Sequence, residues 1–118
     1  MYGIVFYKNG KGKEPVVDFI RELGSRSDKD ARVRLYKLRC YIKILMMHGT
    51  YAGKPFVKHI SGDIWELRPL QDRIFFAGWV DETFVLLHHF VKKTRKTPQA
   101  EIRKAKMEFE RFLEEHAR

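Results

Sequence analysis

The spacing of apolar residues changes near the middle of the chain from a helical to a strand-like period. Residues 2–7 (Y-G-I-V-F-Y) form an aromatic and β-branched segment that predicts a first strand, ended by the turn dipeptide Asn9-Gly10. Apolar residues then recur every three or four positions as far as Gly49, which is typical of helices. From Phe56 onward they occur in short runs between turn residues, which indicates strands.

Two helices are predicted in the first half of the chain. The first has Pro15 in its first turn and ends at Gly24. The second begins at Ser27, where S-D-K-D resembles a capping box with Asp30 in the position of the usual Glu, and it ends near Gly49. The apolar stripes consist of Val16, Phe19, Ile20 and Leu23 in the first helix and Ala31, Leu35, Leu38, Ile42 and Leu45 in the second.

Four strands and a closing helix are predicted in the second half. The strands lie at residues 56–60, 64–70, 73–80 and 84–93, with residues 70–72 as one of the turns. The segments I-F-F-A-G-W-V and F-V-L-L are apolar on both faces, which places them at the centre of a sheet covered by helices.

The last helix completes a single predicted domain over residues 1–118. Thr97 is its expected cap, with Pro98 in the first helical position. Its apolar stripe consists of Ile102, Ala105, Phe109 and Phe112. The order β-α-α-β-β-β-β-α predicts an α+β fold with a mainly antiparallel sheet, two N-terminal helices and a C-terminal helix.

Charge is the first indication of function. The chain has 24 Lys and Arg residues against 15 Asp and Glu, a net charge of +9. Clustered cations favour a nucleic-acid partner, because they release counterions from phosphates, and a basic protein with no such partner is the alternative. The single cysteine, Cys40, together with the lack of a signal peptide or a membrane-length apolar run, predicts a cytoplasmic protein that does not act on membranes.

The motifs of several enzyme classes are missing from the sequence. There is no phosphate-binding glycine-rich loop, no G-x-S-x-G and no H-E-x-x-H, which argues against nucleotide hydrolysis, esterase chemistry and zinc proteolysis. The carboxylates are scattered rather than clustered, which argues against a two-metal nuclease. We therefore expect no metal and no cofactor.

Arginines within predicted strands point to a candidate site. Glu66 and Arg68 lie two positions apart in W-E-L-R and share one face, and Arg73 begins the next strand across a short turn. One interpretation is an ion pair between Glu66 and Arg68, with the later lysines simply solvated. The other is that Arg68, Arg73 and Lys93 gather to bind an anion, and we favour it because three cations at one sheet edge repel unless an anion joins them.

Part of the sequence resembles a toxin family. The stretch I-W-E-L-R-P-L-Q-D-R-I-F-F, followed by L-L-H-H-F-V-K-K-T-R-K-T-P and a helical E-I-R-K-A, is similar to the HigB-type, phage-derived branch of the RelE/ParE toxin superfamily. This resemblance covers roughly residues 56–106, and the preceding strand and two helices fit the topology of that superfamily. Members mostly cleave mRNA in the ribosomal A site without a metal and are neutralised by a cognate antitoxin.

The resemblance implies a function, partners and site residues. It implies a ribosome-dependent endoribonuclease, or mRNA interferase, whose partners are mRNA, ribosomal RNA and a HigA-like helix-turn-helix antitoxin. The arginine of E-L-R becomes Arg68, the arginine opening the next strand becomes Arg73, and the basic residue ending the last strand becomes Lys93. The tyrosine of the last segment of RelE has no clear equivalent, because Thr97-Pro98 occupies that region.

RNA cleavage by a 2′-OH group needs a base, an acid and cations for the charge that grows on the phosphorane. Arg68 and Arg73 suit the cation role, since guanidinium grips phosphate and does not lose its proton. Lys93 suits the role of the base or that of an electrostatic clamp. His59, just ahead of the E-L-R strand, is the preferred proton-transfer residue.

Two further histidines and seven further cations complete the set of candidate residues. His88 and His89 lie in an apolar strand, where a histidine is more often a core residue than a catalytic one. The cations expected to hold RNA are Lys58, Lys92, Arg95 and Lys96 near the strand ends and Arg32, Arg39 and Lys43 on the second helix, where a solvated helix face is the alternative.

Two other functions remain open from the sequence alone. A ParE-like toxin would share the fold and block DNA gyrase without cutting RNA, although an inhibitor of this kind needs no clustered phosphate site. A non-catalytic nucleic-acid-binding module would be expected to expose aromatic residues for base stacking, whereas most aromatic residues here fall in core-like runs.

Overall fold

The computed structural model describes residues 1–117, in which three α-helices lie against one five-stranded sheet. The helices are α1 (Pro15–Ser25), α2 (Lys29–His48) and α3 (Gln99–Glu115), with a short 3-10 helix at Gly49–Ala52 after α2. The strands are β1 (Gly3–Phe6), β2 (Val57–Ser61), β3 (Ile64–Leu67), β4 (Asp72–Trp79) and β5 (Thr83–Val91). None of the helices in residues 1–117 has the length and hydropathy of a bilayer-spanning segment.

The sheet has the strand order β1-β5-β4-β3-β2. The strands β2 to β5 form a continuous antiparallel meander, and β1 adds to its far edge in parallel with β5. This arrangement confirms the predicted order of elements and the mainly antiparallel sheet. The helices α1 and α2 form the connection that carries the chain from β1, at one edge, to β2, at the other.

Both faces of the sheet are covered, which explains the apolar runs in its central strands. Ile74 and Phe76 pack with the apolar sides of α1 and α2, and we call this side the α1/α2 face. Phe75 and Ala77 pack with α3, and we call that side the α3 face. All four side chains are fully buried, because successive residues of a strand point to opposite faces.

Two predicted helix caps are wrong by one residue. The cap of α2 is Asp28, whose carboxylate accepts a hydrogen bond from the backbone N–H of Ala31 at 3.0 Å, and not Ser27. The last helix begins at Gln99, so Pro98 is the residue before the first helical position and Thr97 does not cap the helix. Pro98 has an extended backbone, and its carbonyl accepts hydrogen bonds from two N–H groups of the first turn.

The turn between β3 and β4 also differs from the prediction. β3 ends at Leu67, two residues before Pro69, which has no N–H to donate. Leu70 then reverses the chain with a φ of 57°. Asp72 was predicted as a turn residue, yet it is the first residue of β4 and pairs with Val91. β5 therefore ends at Val91, two residues before the predicted end at Lys93, because β4 offers no strand residue beyond Asp72.

Candidate active site

A row of paired residues crosses the α3 face of the sheet near β2. Lys58 of β2 lies opposite Glu66 of β3, and Glu66 lies opposite Phe75 of β4. Residues directly opposite each other share a face, and Phe75 packs with α3, so the whole row lies on the α3 face. Arg68 and Arg73 are each two residues from a member of this row and therefore point to the same side.

Glu66 joins the two arginines. Its side chain is fully buried, with Oε2 at 3.4 Å from Nε of Arg68 and Oε1 at 3.6 Å from Nε of Arg73. Among residues 1–117 none of these four atoms has a hydrogen-bond partner. The ion pair considered in the sequence is thus present, and it includes Arg73 as well. Two cations against one anion leave the cluster positively charged.

Burial differs between the two arginines. The side chain of Arg68 remains 23% exposed, whereas that of Arg73 is 9% exposed and its Nη1 donates to the carbonyls of Leu70 and Asp72 at 2.7 and 2.9 Å. Burial lowers the pKa of Arg73 below its ordinary value, and Glu66 opposes this shift while Arg68 adds to it. A guanidinium starts so far above neutral pH that Arg73 stays charged.

An open cleft of about 700 Å³ lies beside this row, between β2 and the segment that leads into α3. Four residues expected from the sequence line it, namely Lys58, His59, Arg95 and Lys96. A cleft with several cations along its walls concentrates negative charge and suits a polyanionic chain.

Within this cleft, Lys58 and His59 have different orientations. His59 lies opposite Trp65, which packs with the α1/α2 face, so His59 points away from the side of Arg68. Its Nε2 lies 2.8 Å from the carbonyl oxygen of Gly62, and its ring lies edge-on to Trp65 with centroids 5.1 Å apart. Lys58 therefore shares the face of the two arginines, and His59 reaches the cleft from the edge of β2.

Lys92 and Lys93 follow the end of β5. Phe90 lies opposite Arg73, and the backbone N–H of Lys92 donates to the carbonyl of Gln71 at 2.9 Å, which continues the ladder by one step. Alternation along β5 thus directs Lys92 to the α3 face, like Phe90. Lys93 is exposed in the segment after the strand, so the structure corrects its expected place at the strand end.

The cations of the second helix lie elsewhere. Arg32, Arg39 and Lys43 are exposed on α2, which packs on the opposite face of the sheet from Arg68 and Arg73. Arg32 donates to the carbonyl of Ser27 at 2.6 Å, at the start of its own helix. The sheet therefore separates these three cations from the candidate active site.

Comparison with known proteins adds a family to this geometry. Residues 17–110 match the model of the family described as phage derived protein Gp49-like (DUF891). The chain belongs to this family. Gp49-like proteins are a phage-derived, RelE/HigB-like toxin family, and the matched segment contains all three residues of the arginine–glutamate cluster. No curated protein sequence matches the chain significantly.

This Gp49-like chain contains a buried histidine cluster that the sequence did not predict. His88 is 1% exposed, with Nδ1 at 2.5 Å from Glu108 and Nε2 at 2.9 Å from Glu101. Glu101 and Glu108 are seven residues apart on α3, so their shared helix face was a signal available in the sequence.

A second buried cluster lies at the start of β4, on the α1/α2 face. Asp72 accepts hydrogen bonds from Arg34 of α2 and from Nε2 of His89, the latter at 2.8 Å. The ring of His89 also stacks on Phe19 with centroids 3.4 Å apart. Both central histidines of this Gp49-like protein therefore have structural partners, as expected of core histidines. In residues 1–117 no group of three or more His, Cys, Asp and Glu side chains is arranged to hold a metal ion.

Proposed function

We propose that this chain is the toxin of a type II toxin–antitoxin system and that it cleaves translated mRNA on the ribosome. The observation that carries the proposal is the pair Arg68 and Arg73, which share the buried Glu66 beside a cleft lined by cations. Membership of a RelE/HigB-like toxin family supports this activity for the pair. We assign the chain to the HigB-type branch on its K-K-T-R-K-T-P segment after the last strand.

The proposed reaction is an internal transfer at the phosphate. The 2′ oxygen of a ribose forms a bond to the adjacent phosphorus, the bond from phosphorus to the 5′ oxygen breaks, and the products end in a 2′,3′-cyclic phosphate and a 5′-OH. Negative charge grows on the non-bridging oxygens in the transition state. Arg68 and Arg73 stabilise that charge, because guanidinium donates paired N–H groups to phosphate oxygens and remains protonated.

Proton transfer requires further groups near the arginines. Lys58 is the residue whose placement on the α3 face supports a direct role, as an electrostatic clamp or as the base that accepts the 2′-OH proton. His59 lines the same cleft, and we retain it as the proposed acid for the leaving 5′ oxygen. Lys93 is proposed as a flanking cation, which follows from its exposed position beyond β5.

The remaining cations are proposed to bind RNA. Arg95 and Lys96 line the cleft, and Lys92 lies just beyond β5 with its side chain directed to the α3 face. We propose that these three residues hold the mRNA. Arg32, Arg39 and Lys43 lie on the other side of the sheet and are proposed to contact ribosomal RNA. The chain would act in the cytoplasm, where a HigA-like helix-turn-helix antitoxin is its proposed inhibitor.

The proposal is tested by mapping 5′ ends of mRNA after brief induction, with and without a block of translation. We expect new 5′-OH ends within coding regions only while translation continues, and none in the Arg73→Lys variant, which keeps the charge and loses the paired donors. In vitro, cleavage of ribosome-bound mRNA should persist in EDTA once ribosome integrity is controlled. Efficient Mg²⁺-dependent cleavage of free RNA would contradict the proposal, and arrest of replication without new 5′ ends would favour a gyrase inhibitor.

A further inference from the structure

Glu66 carries a fully buried carboxylate that accepts no hydrogen bond from any group in residues 1–117. A buried carboxylate requires compensation for its lost hydration. Here the compensation is electrostatic and comes from two guanidiniums at 3.4 and 3.6 Å, beyond the length of a charge-assisted hydrogen bond. Such a carboxylate stabilises its own fold poorly, which points to another reason for its presence.

The contacts of Glu66 are made through one particular nitrogen of each arginine. In both arginines the nitrogen that contacts Glu66 is Nε, the inner nitrogen of the guanidinium, at 3.4 Å in Arg68 and 3.6 Å in Arg73. A phosphate is held by two parallel N–H groups on one edge of a guanidinium plane. A contact at Nε therefore restricts the guanidinium plane and leaves the outer nitrogens of Arg68 for a phosphate, whereas in Arg73 Nη1 already donates to two backbone carbonyls and Nη2 is the outer nitrogen that is left.

We propose that Glu66 is the positioning residue of the anion site, whose carboxylate orients the two guanidiniums so that the outer edge of Arg68 and Nη2 of Arg73 face the scissile phosphate. The choice of an RNA phosphate as the bound group rests on the proposed function, whereas the contacts that orient the arginines rest on the geometry alone. Arg73 is also held by its hydrogen bonds to the backbone carbonyls of Leu70 and Asp72. The orientation of Arg68, whose side chain is more exposed, therefore depends most on Glu66.

Two substitutions separate orientation from charge. Glu66→Gln keeps the size of the side chain and removes its charge, and Glu66→Asp keeps the charge but withdraws it by one methylene. We expect both variants to lower the single-turnover rate constant for cleavage of ribosome-bound mRNA by about a hundredfold. The half-saturating ribosome concentration should change by less than about threefold, because the orienting contact acts mainly in the transition state. Wild-type turnover in Glu66→Asp would show that only charge matters and would overturn the proposal.

Asp72→Asn is the matched control. Asp72 is the other buried carboxylate near this end of the sheet, but its side chain contacts Arg34 and His89 on the opposite face. Its substitution should lower the melting temperature while the rate constant, measured well below that temperature, stays within about threefold of wild type. An equal loss of rate in Asp72→Asn and Glu66→Gln would reduce the effect to general destabilisation and overturn the proposal.

A measurement on the wild-type protein tests the contact even if the variants fail to fold. In NMR spectra, the Nε–H groups of Arg68 and Arg73 should exchange with water at least about tenfold more slowly than that of the exposed Arg103. Exchange as fast as that of Arg103 would overturn the positioning role. Slow exchange in a protein that cleaves no mRNA would instead support the contact of Glu66 and contradict the proposed function, so the two failures are distinguishable.

Discussion

The guanidinium of Arg34 donates two hydrogen bonds to the carboxylate of Asp72, at 3.0 Å from Nε and 2.8 Å from Nη2. The two residues are 38 positions apart, and their contact fastens α2 to the first residue of β4. The contact is bidentate and largely buried, which are the conditions under which removal of one partner is costly.

Removal of Arg34 should therefore destabilise the fold. Arg34→Ala leaves the Asp72 carboxylate buried with His89 as its remaining side-chain partner, and we expect the free energy of unfolding to fall by about 3 kcal/mol. Urea denaturation at neutral pH measures the change. Arg103→Ala, at an exposed position of α3, is the control and should change the stability by less than about 0.5 kcal/mol. Equal stability of the two variants would contradict the structural importance of the pair.

The same pair predicts a dependence of stability on pH. Burial raises the pKa of Asp72, but hydrogen bonds from His89 and Arg34 outweigh this effect, so the pKa lies below its ordinary value of 3.8. A carboxyl group with a lowered pKa in the folded state contributes stability that is complete above the unfolded pKa. This contribution is lost as the pH falls through the folded pKa. The difference in unfolding free energy between wild type and Asp72→Asn should be constant above about pH 5 and shrink below about pH 4. A difference independent of pH would contradict this assignment.

The histidine cluster predicts a coupling between α3 and the sheet. His88→Phe leaves Glu108 without its histidine partner in the core, and we expect a loss of about 3 kcal/mol in unfolding free energy. Combining it with Glu108→Leu should cost less than the sum of the single changes, with an interaction of about 1–3 kcal/mol. A double-mutant cycle by urea denaturation measures this interaction, and strict additivity would contradict the contact.

Growth assays separate the roles of neighbouring lysines. The side chain of Lys92 is directed to the α3 face, which is the face of the two arginines, whereas Lys93 is exposed in the segment after β5. Lys92→Ala should therefore relieve growth arrest more than Lys93→Ala. The measurement is colony formation after induction without antitoxin, at matched protein levels. Greater relief by Lys93→Ala would restore the role that the family resemblance implies for Lys93.

Salt dependence tests the cations of α2. If Arg32, Arg39 and Lys43 contact ribosomal phosphates, replacing each by Gln should lower the slope of log affinity against log salt by about one unit. The rate constant for cleavage at saturating ribosome should be unaffected, because these residues lie on the opposite face from Arg68. An unchanged affinity and slope would identify them as a solvated helix face.

The order of elements was predictable from the sequence because each element carries its own local signal. The apolar stripes of α1 and α3 and the two-sided apolar runs of β4 and β5 follow from which side chains must leave water, whatever the long-range contacts. The ends of the elements were less predictable, because they depend on which of two adjacent residues caps a helix and on where the partner strand ends. Asp28 rather than Ser27 caps α2, and β5 ends where β4 offers no further partner.

The sequence by itself determined that Glu66 and Arg68 share a face, because alternation along a strand is a local property. It also indicated that Arg73 lies nearby, because the turn between the two strands is short. Tertiary structure alone decided that Glu66 contacts both arginines, that Lys58 rather than His59 shares their face, and that Arg34 reaches Asp72 across 38 positions. Strand register and the packing of α2 and α3 set these relationships, and both arise from contacts between residues far apart in the chain, which local spacing does not encode.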